Sequence, residues 1–324
     1  GLFSSYNSFW NDLEGNIVIK LVSVFNIFSR GDYYINSLFF NFIIFFGHVM
    51  LYRLFIKIYP GSQVWVIMGC FLLPSTLYFS SGIHKDGLVL LLMAVVIYGV
   101  YQSLSKNRIS IKRLLFILAG LILLFLVRNF ILLALLPALF AWILVAKTKW
   151  NTALVFISVY LFGGLAFFNI NAVITKINPP DIIVKKQEAY KSLPIAATQI
   201  ELAALQPTVK SFASNIPQAL GHVLFLPYPG QQPVKSLLPF SFELYFYLFL
   251  LLLLFFFKKK DNLPADKLLM FFTLFFILTV FLFIGYIVPN IGSLIRYRSL
   301  YLPFIITPVL CSLNWEKMRG RFVI

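Results

Sequence analysis

What most constrains this sequence is the recurrence of apolar runs long enough to cross a bilayer, separated by short polar breaks. A helix needs about 20 apolar residues to traverse the hydrocarbon layer. Lipid offers no water to unpaired backbone groups, so each run must close its hydrogen bonds internally, as a helix. Nine spans are expected, at 33–55, 64–79, 87–104, 114–127, 130–146, 152–174, 238–257, 268–289 and 297–313. Composition agrees, with 60% of the 324 residues hydrophobic, 12% charged and 37 of them Phe. Such usage lies far from that of soluble globular chains and excludes a soluble reading. The expected fold is all-α, a polytopic transmembrane helical bundle that makes 1–324 a single integral membrane domain.

The remaining segments follow from the same pattern. Residues 1–32 are mixed and polar, and their apolar run at 18–28 is too short to span, which suits a place along the interface. The chain opens on Gly1 rather than Met, without a signal-peptide pattern, so an earlier start with room for one more span is expected. A long connection, 175–237, carries amphipathic stretches at 182–204 and 209–224, expected as short helices on the membrane surface or over a cavity. Its Pro-rich end, 226–233, returns the chain to the bilayer.

A net charge of +16 would read as a nucleic-acid signal in a soluble protein. Here cytoplasmic loops and anionic headgroups account for it, and no nucleic-acid partner is implied. Taking loops alternately, one side collects Arg53, Lys57, Lys112, Arg113, Lys147, Lys149 and the Lys258-Lys259-Lys260 run. That side is cytoplasmic, with the tail 314–324. The N-terminal segment, the turns at 80–86, 128–129 and 290–298, and the 175–237 loop are then outside. The two cysteines, Cys70 and Cys311, sit in apolar runs and imply neither a disulfide nor a metal centre.

Polar residues that these rules leave unexplained collect at the outer ends of spans. They are His84-Lys85-Asp86, Arg128-Asn129, Asn290 with Arg296-Tyr297-Arg298, and the acids Asp12, Glu14 and Asp32. Singly, each has a plainer role: Arg128 can snorkel to headgroups, Tyr297 fits an interfacial aromatic belt, and Asp86 suits the N-terminus of the helix that begins near Gly87. Arg296 and Arg298, two apart, do not face the same way on a helix. The coincidence of three basic clusters on the side disfavoured for cations points to an anionic ligand, and Arg forks meet phosphate oxygens bidentately. Lys85, Arg128, Arg296 and Arg298 are therefore the candidate phosphate-binding residues. Glycosyl transfer from a polyprenyl-phosphate donor needs such cations, plus a base for the acceptor hydroxyl. Asp86, Asp32, His84, Asp12 and Glu14 are the available bases, and the sequence does not rank them. No outside Asp-x-Asp pair or His cluster supports a divalent metal, and no phosphate loop or dinucleotide fingerprint is present, so no cofactor is expected.

The segment from Pro74 to Gly87, Pro-Ser-Thr-Leu-Tyr-Phe-Ser-Ser-Gly-Ile-His-Lys-Asp-Gly, resembles the Pro-Ser…Ser-Gly…Lys-Asp/Glu segment of multispanning bacterial envelope glycosyltransferases and polysaccharide repeat-unit polymerases. The Arg296-Tyr-Arg-Ser-Leu-Tyr-Leu-Pro303 run is similar to the Arg-Tyr-Arg…Pro run near the end of many GT-C type enzymes that use lipid-linked sugars. The resemblance implies a polyprenyl-phosphate-linked sugar donor, a glycan acceptor, surrounding membrane lipid and partners in an envelope biosynthesis complex. It also implies a place in the bacterial cytoplasmic membrane with the site on its outer face. The catalytic Asp of such enzymes commonly lies in the first outer loop, which keeps Asp12, Glu14 and Asp32 eligible. The competing expectations are a transporter or flippase of lipid-linked sugars, and a non-catalytic assembly subunit. Transport proteins favour broken helices, repeated halves and charges near the bilayer midplane; here Glu243 is the mild exception to spans that are otherwise nearly free of charge.

Overall fold

The computed structural model describes the backbone of residues 13–106, 110–175, 177–230, 235–259 and 264–322, with side chains omitted at 13–15, 264–266 and 320–322. Among the described residues the fold is all-helical, with isolated bridges at Gln199–Asn290 and Lys258–Leu313. The chain falls into two compact units, Gly1–Leu133 and Ala134–Ile324.

The first unit holds α1 (Leu13–Ser29), α2 (Tyr33–Ile58), α3 (Gln63–Phe71), α4 (Pro74–Ser80), α5 (Lys85–Ser105) and α6 (Ile111–Arg128). α5 is its centre, flanked by α2 and α6. In lipid, helices associate by close packing rather than by exclusion of water, so small residues at the contacts matter most. Gly47 of α2 lies against α5, where a Cβ would come within 2.7 Å of the Leu91 Cα. A Cβ on Gly87 would collide with Ile44 and the Ser80 carbonyl, and one on Gly99 with Ile117 at 2.7 Å. Gly120 of α6 answers with a 2.9 Å approach to Val96. These glycines let three backbones come near enough to bury Leu90, Met93, Val96 and Ile97 completely. α1 lays Val18, Leu21 and Phe25 against Phe40, Ile44 and Leu88, and Asn26 accepts a 2.7 Å hydrogen bond from Asn36.

Between α3 and α4 the chain bends by 45°. Pro74 explains the break, because it has no N–H to give the carbonyl four residues earlier, that of Cys70. His48 of α2 supplies the missing donor: its Nδ1 lies 2.6 Å from the Cys70 oxygen. A carbonyl only accepts, so the proton sits on Nδ1, and in the neutral ring Nε2 accepts from the Ser80 hydroxyl at 3.4 Å. The His48 ring stacks on Phe71.

The second unit is built from α7 (Phe130–Thr148, whose first residues belong to the first unit), α8 (Thr152–Asn169), α9 (Pro179–Lys191), α10 (Val209–Phe225), α11 (Leu238–Phe257), α12 (Pro264–Ile287), α13 (Ile291–Ser299), α14 (Leu302–Ser312) and α15 (Trp315–Phe322). Several starts are set by side-chain caps: Asn151, Asn178, Thr208 and Asn290 each accept from a backbone N–H in the first turn of their helix. α12 is the core element. It buries Phe272, Phe276 and Val280, takes Trp142 against Phe272 at 4.6 Å, and holds Tyr301 edge-on between Phe276 and Phe281. Gly285 meets the Ala219 backbone so closely that a Cβ there would clash, which lets α10 lie flat on α12.

The expected helix over 182–204 ends early, at Lys191, because Leu193-Pro194 cannot continue it. Residues 198–206 run instead as an extended strap. Ile200 donates to the Pro289 carbonyl and Ile291 to that of Thr198. Gln187 bonds Ala203 and Leu205 of the strap as well as the Tyr286 carbonyl, and Gln218 bonds Glu201 and Ala203. Two glutamine side chains thus complete what a second strand would supply.

Among the described residues six helices are long and apolar enough to cross a membrane, or eight if each bent pair is one span, against the nine expected. The shortfall falls on 114–127. Its helix, α6, carries Lys112 and Arg113 at one end and Arg128 at the other, leaving too short an apolar stretch between. The other departure is at 290–298, expected as an external turn. Asn290 caps a helix there, and α13 with α14 forms the second bent pair, at 59°.

Candidate functional site

The 80–86 segment is held by a hydrogen bond to α2 and by one within the turn. Gly82 adopts a φ of +79°, which a side chain would resist, and its N–H donates to the Asn41 Oδ1 of α2 at 2.7 Å. The His84 N–H then bonds the Gly82 carbonyl. His84 becomes the residue before α5, exposed and without a side-chain cap, while Lys85 is half-buried in the first turn. Asp86 follows and is fully buried, its Oδ1 2.9 Å from the Arg128 guanidinium. Arg128 is itself buried at 8% exposure, with its charge 5.9 Å from the Phe130 ring centre.

Two helix ends reinforce this pair. Asp86 lies in the first turn of α5, where the helix dipole and the unpaired N–H groups favour a negative charge. Arg128 is the last residue of α6, where the dipole favours a positive one. A buried ion pair carries a large desolvation cost, and removing one partner typically costs about 3–5 kcal/mol because the other is stranded. Charges kept in such a place are functional candidates by default.

In the second unit, Arg296 is half-buried and Arg298 buried, as residues two apart on a helix require. Arg298 donates from one nitrogen to two carbonyls, those of Val223 and Leu226, each at 2.7 Å. These oxygens belong to the end of α10, whose last carbonyls have no partner within the helix. Arg298 is therefore a C-terminal cap. Glu243 of α11 is near enough for its charge to act on Arg298, and it accepts a 2.6 Å hydrogen bond from the Tyr247 hydroxyl. Tyr297 meets Tyr190 hydroxyl to hydroxyl at 3.4 Å.

Among the described residues, Asp86 is an expected base that lies against a candidate cation. Asp32 is exposed and caps α2 by accepting from the Ile35 N–H at 2.9 Å. Asp12 lies outside the described residues, as does the side chain of Glu14. Lys85 and Arg128 belong to the first unit, Arg296 and Arg298 to the second. Sequence reasoning passed over His48, whose signal was present: a histidine in mid-span and a proline that orphans a carbonyl. It also gave no capping role to Arg298, because the end of α10 is fixed only by tertiary packing. No three His, Cys, Asp or Glu side chains gather as a metal site would among the described residues. No family model, curated protein or solved structure matches this chain.

Proposed function

We propose that this chain is a membrane-embedded glycosyltransferase or polysaccharide polymerase that moves a sugar from a polyprenyl-phosphate or diphosphate carrier to a glycan acceptor. The observation that carries this reading is the buried Asp86–Arg128 pair, a carboxylate and a cation held together within an apolar bundle, with the half-buried Lys85 the residue before Asp86. Lys85 and Arg128 hold the phosphate, and Asp86 is the base. The acceptor hydroxyl oxygen bonds the anomeric carbon and its proton passes to Asp86. The anomeric C–O bond to the carrier breaks, and its electron pair leaves on the phosphate that the cations stabilise. In the second unit Arg296 is better suited to a phosphate than Arg298, which the end of α10 engages. The setting is the outer face of a bacterial cytoplasmic membrane, with the C-terminal tail inside.

The test is to reconstitute the purified chain with a polyprenyl-diphosphate-linked sugar and an acceptor glycan. Glycan growth that is lost in Asp86→Asn supports the reading, and no growth under any donor ends it. A second reading, a flippase of lipid-linked sugars, draws on the two bent helix pairs, since discontinuous helices line many transport sites. Transbilayer movement of the donor without a new glycosidic bond in the same proteoliposomes would favour it.

A further inference from the structure

We propose that the Asp86–Arg128 pair is a latch that the donor opens: its diphosphate draws Arg128 away and so uncovers Asp86. This rests on the reading above. The asymmetry of exposure is the starting point, since the Arg128 side chain retains 10% of its surface and the Asp86 side chain none. A ligand approaching the pair meets the Arg128 side chain first and reaches the carboxylate only once that side chain has moved. A diphosphate offers Arg128 more oxygens and more negative charge than one carboxylate, and the guanidinium fork meets phosphate oxygens two at a time.

Opening such a pair in the middle of two helices would strand both charges. Here the two helix ends offset part of that cost. Asp86 keeps the positive dipole end of α5, and Arg128 keeps the negative end of α6 whichever partner it holds. Motion also has an obvious place to occur. The backbone at Asp86 is fixed by Gly87, packed on Ile44 and the Ser80 carbonyl, and by the Gly82 bond to Asn41. What remains to move is the long Arg128 side chain at the last residue of its helix. Such a latch imposes an order in which the donor docks before the acceptor hydroxyl is deprotonated.

The experiment uses the full chain in detergent with geranylgeranyl diphosphate as the probe, and inorganic pyrophosphate and phosphatidylglycerol as competitors. Asp86→Asn removes the competing charge while keeping its shape, and is expected to bind the probe roughly tenfold tighter than wild type. Carbodiimide labelling of Asp86, read by mass spectrometry, should be slow in the free protein and faster when the probe is bound. Equal affinity in wild type and Asp86→Asn, or labelling that the probe does not change, overturns the latch while leaving diphosphate binding intact. Failure of the wild type and of Asp86→Asn to bind the probe overturns the latch and the reading beneath it. Displacement by phosphatidylglycerol as effective as by pyrophosphate assigns Arg128 to a lipid headgroup and overturns the donor latch. Arg128→Lys, which keeps the charge without the fork, is expected to bind more weakly than wild type, and unchanged binding counts against the exchange.

Discussion

Arg128 and Arg298 are the same residue, both buried, both drawn from segments that read alike in the sequence, yet each unit uses its arginine differently. In the first unit the guanidinium is matched to a carboxylate, so charge meets charge. In the second it is matched to two main-chain oxygens, so charge meets the open end of a helix. A carboxylate partner can be exchanged for another anion, whereas a helix end is structural and has no substitute. In the first unit the carbonyl that Pro74 leaves without its helical donor is met by His48 instead of an arginine. An arginine's role is thus read from what else is present to satisfy the backbone.

The largest effect that would test this contrast is at Arg128. Arg128→Ala should destabilise the protein by about 3–5 kcal/mol, because Asp86 is left buried and unmatched. Combining Asp86→Leu with Arg128→Met should return most of that stability without restoring glycan formation. Unfolding in detergent measures the first and a transfer assay the second; a stable Arg128→Ala would mean the pair is less buried than described. Arg298→Ala should cost about 2–3 kcal/mol through two orphaned carbonyls, with faster amide exchange confined to the end of α10. Rescue of Arg298→Ala by Glu243→Gln would make Arg298 an ion-pair residue as well and break the contrast.

His48→Ala should cost about 1–2 kcal/mol, the penalty of one buried acceptor left unpaired. Pro74→Ala restores a backbone N–H at residue 74 for the Cys70 carbonyl, so the two changes should be non-additive, with the double variant better than the sum of the singles. Strict additivity in unfolding measurements would show that His48 does not stand in for the proline. The smallest effect is at His222, in the last turn of α10, where burial holds the imidazole below its ordinary value of 6.5. The unfolded chain then binds a proton before the folded one, so this contribution is neutral above about pH 6.5 and erodes stability as the solution is acidified below it. A melting-temperature series from pH 7.5 to 5 should show that decline, and His222→Gln should flatten part of it.

Much of the architecture was legible, and the reasons are local. Long apolar runs demand helices in lipid, and α2, α5, α7, α8, α11 and α12 appear where such runs lie. Asx and Thr caps and Pro74 mark ends that the chain encodes within a few residues. The strap at 198–206 was not legible, because its hydrogen bonds come from Gln187, Gln218 and the 289–291 backbone, all remote in sequence. Nor did 290–298 betray a helix, since a short polar segment next to Pro289 reads equally well as a turn.

The sequence by itself determined that this is a helical membrane protein, and it picked out Asp86 and Arg128 as residues needing an explanation. The physical reason is that transfer from water to lipid acts on every residue according to its own chemistry, without reference to partners. Only the tertiary structure decided that Asp86 faces Arg128, that Arg298 closes α10, and that His48 completes a helix broken by Pro74. Those outcomes depend on which backbone groups remain unsatisfied once the helices have packed, and packing is set by contacts tens of residues apart.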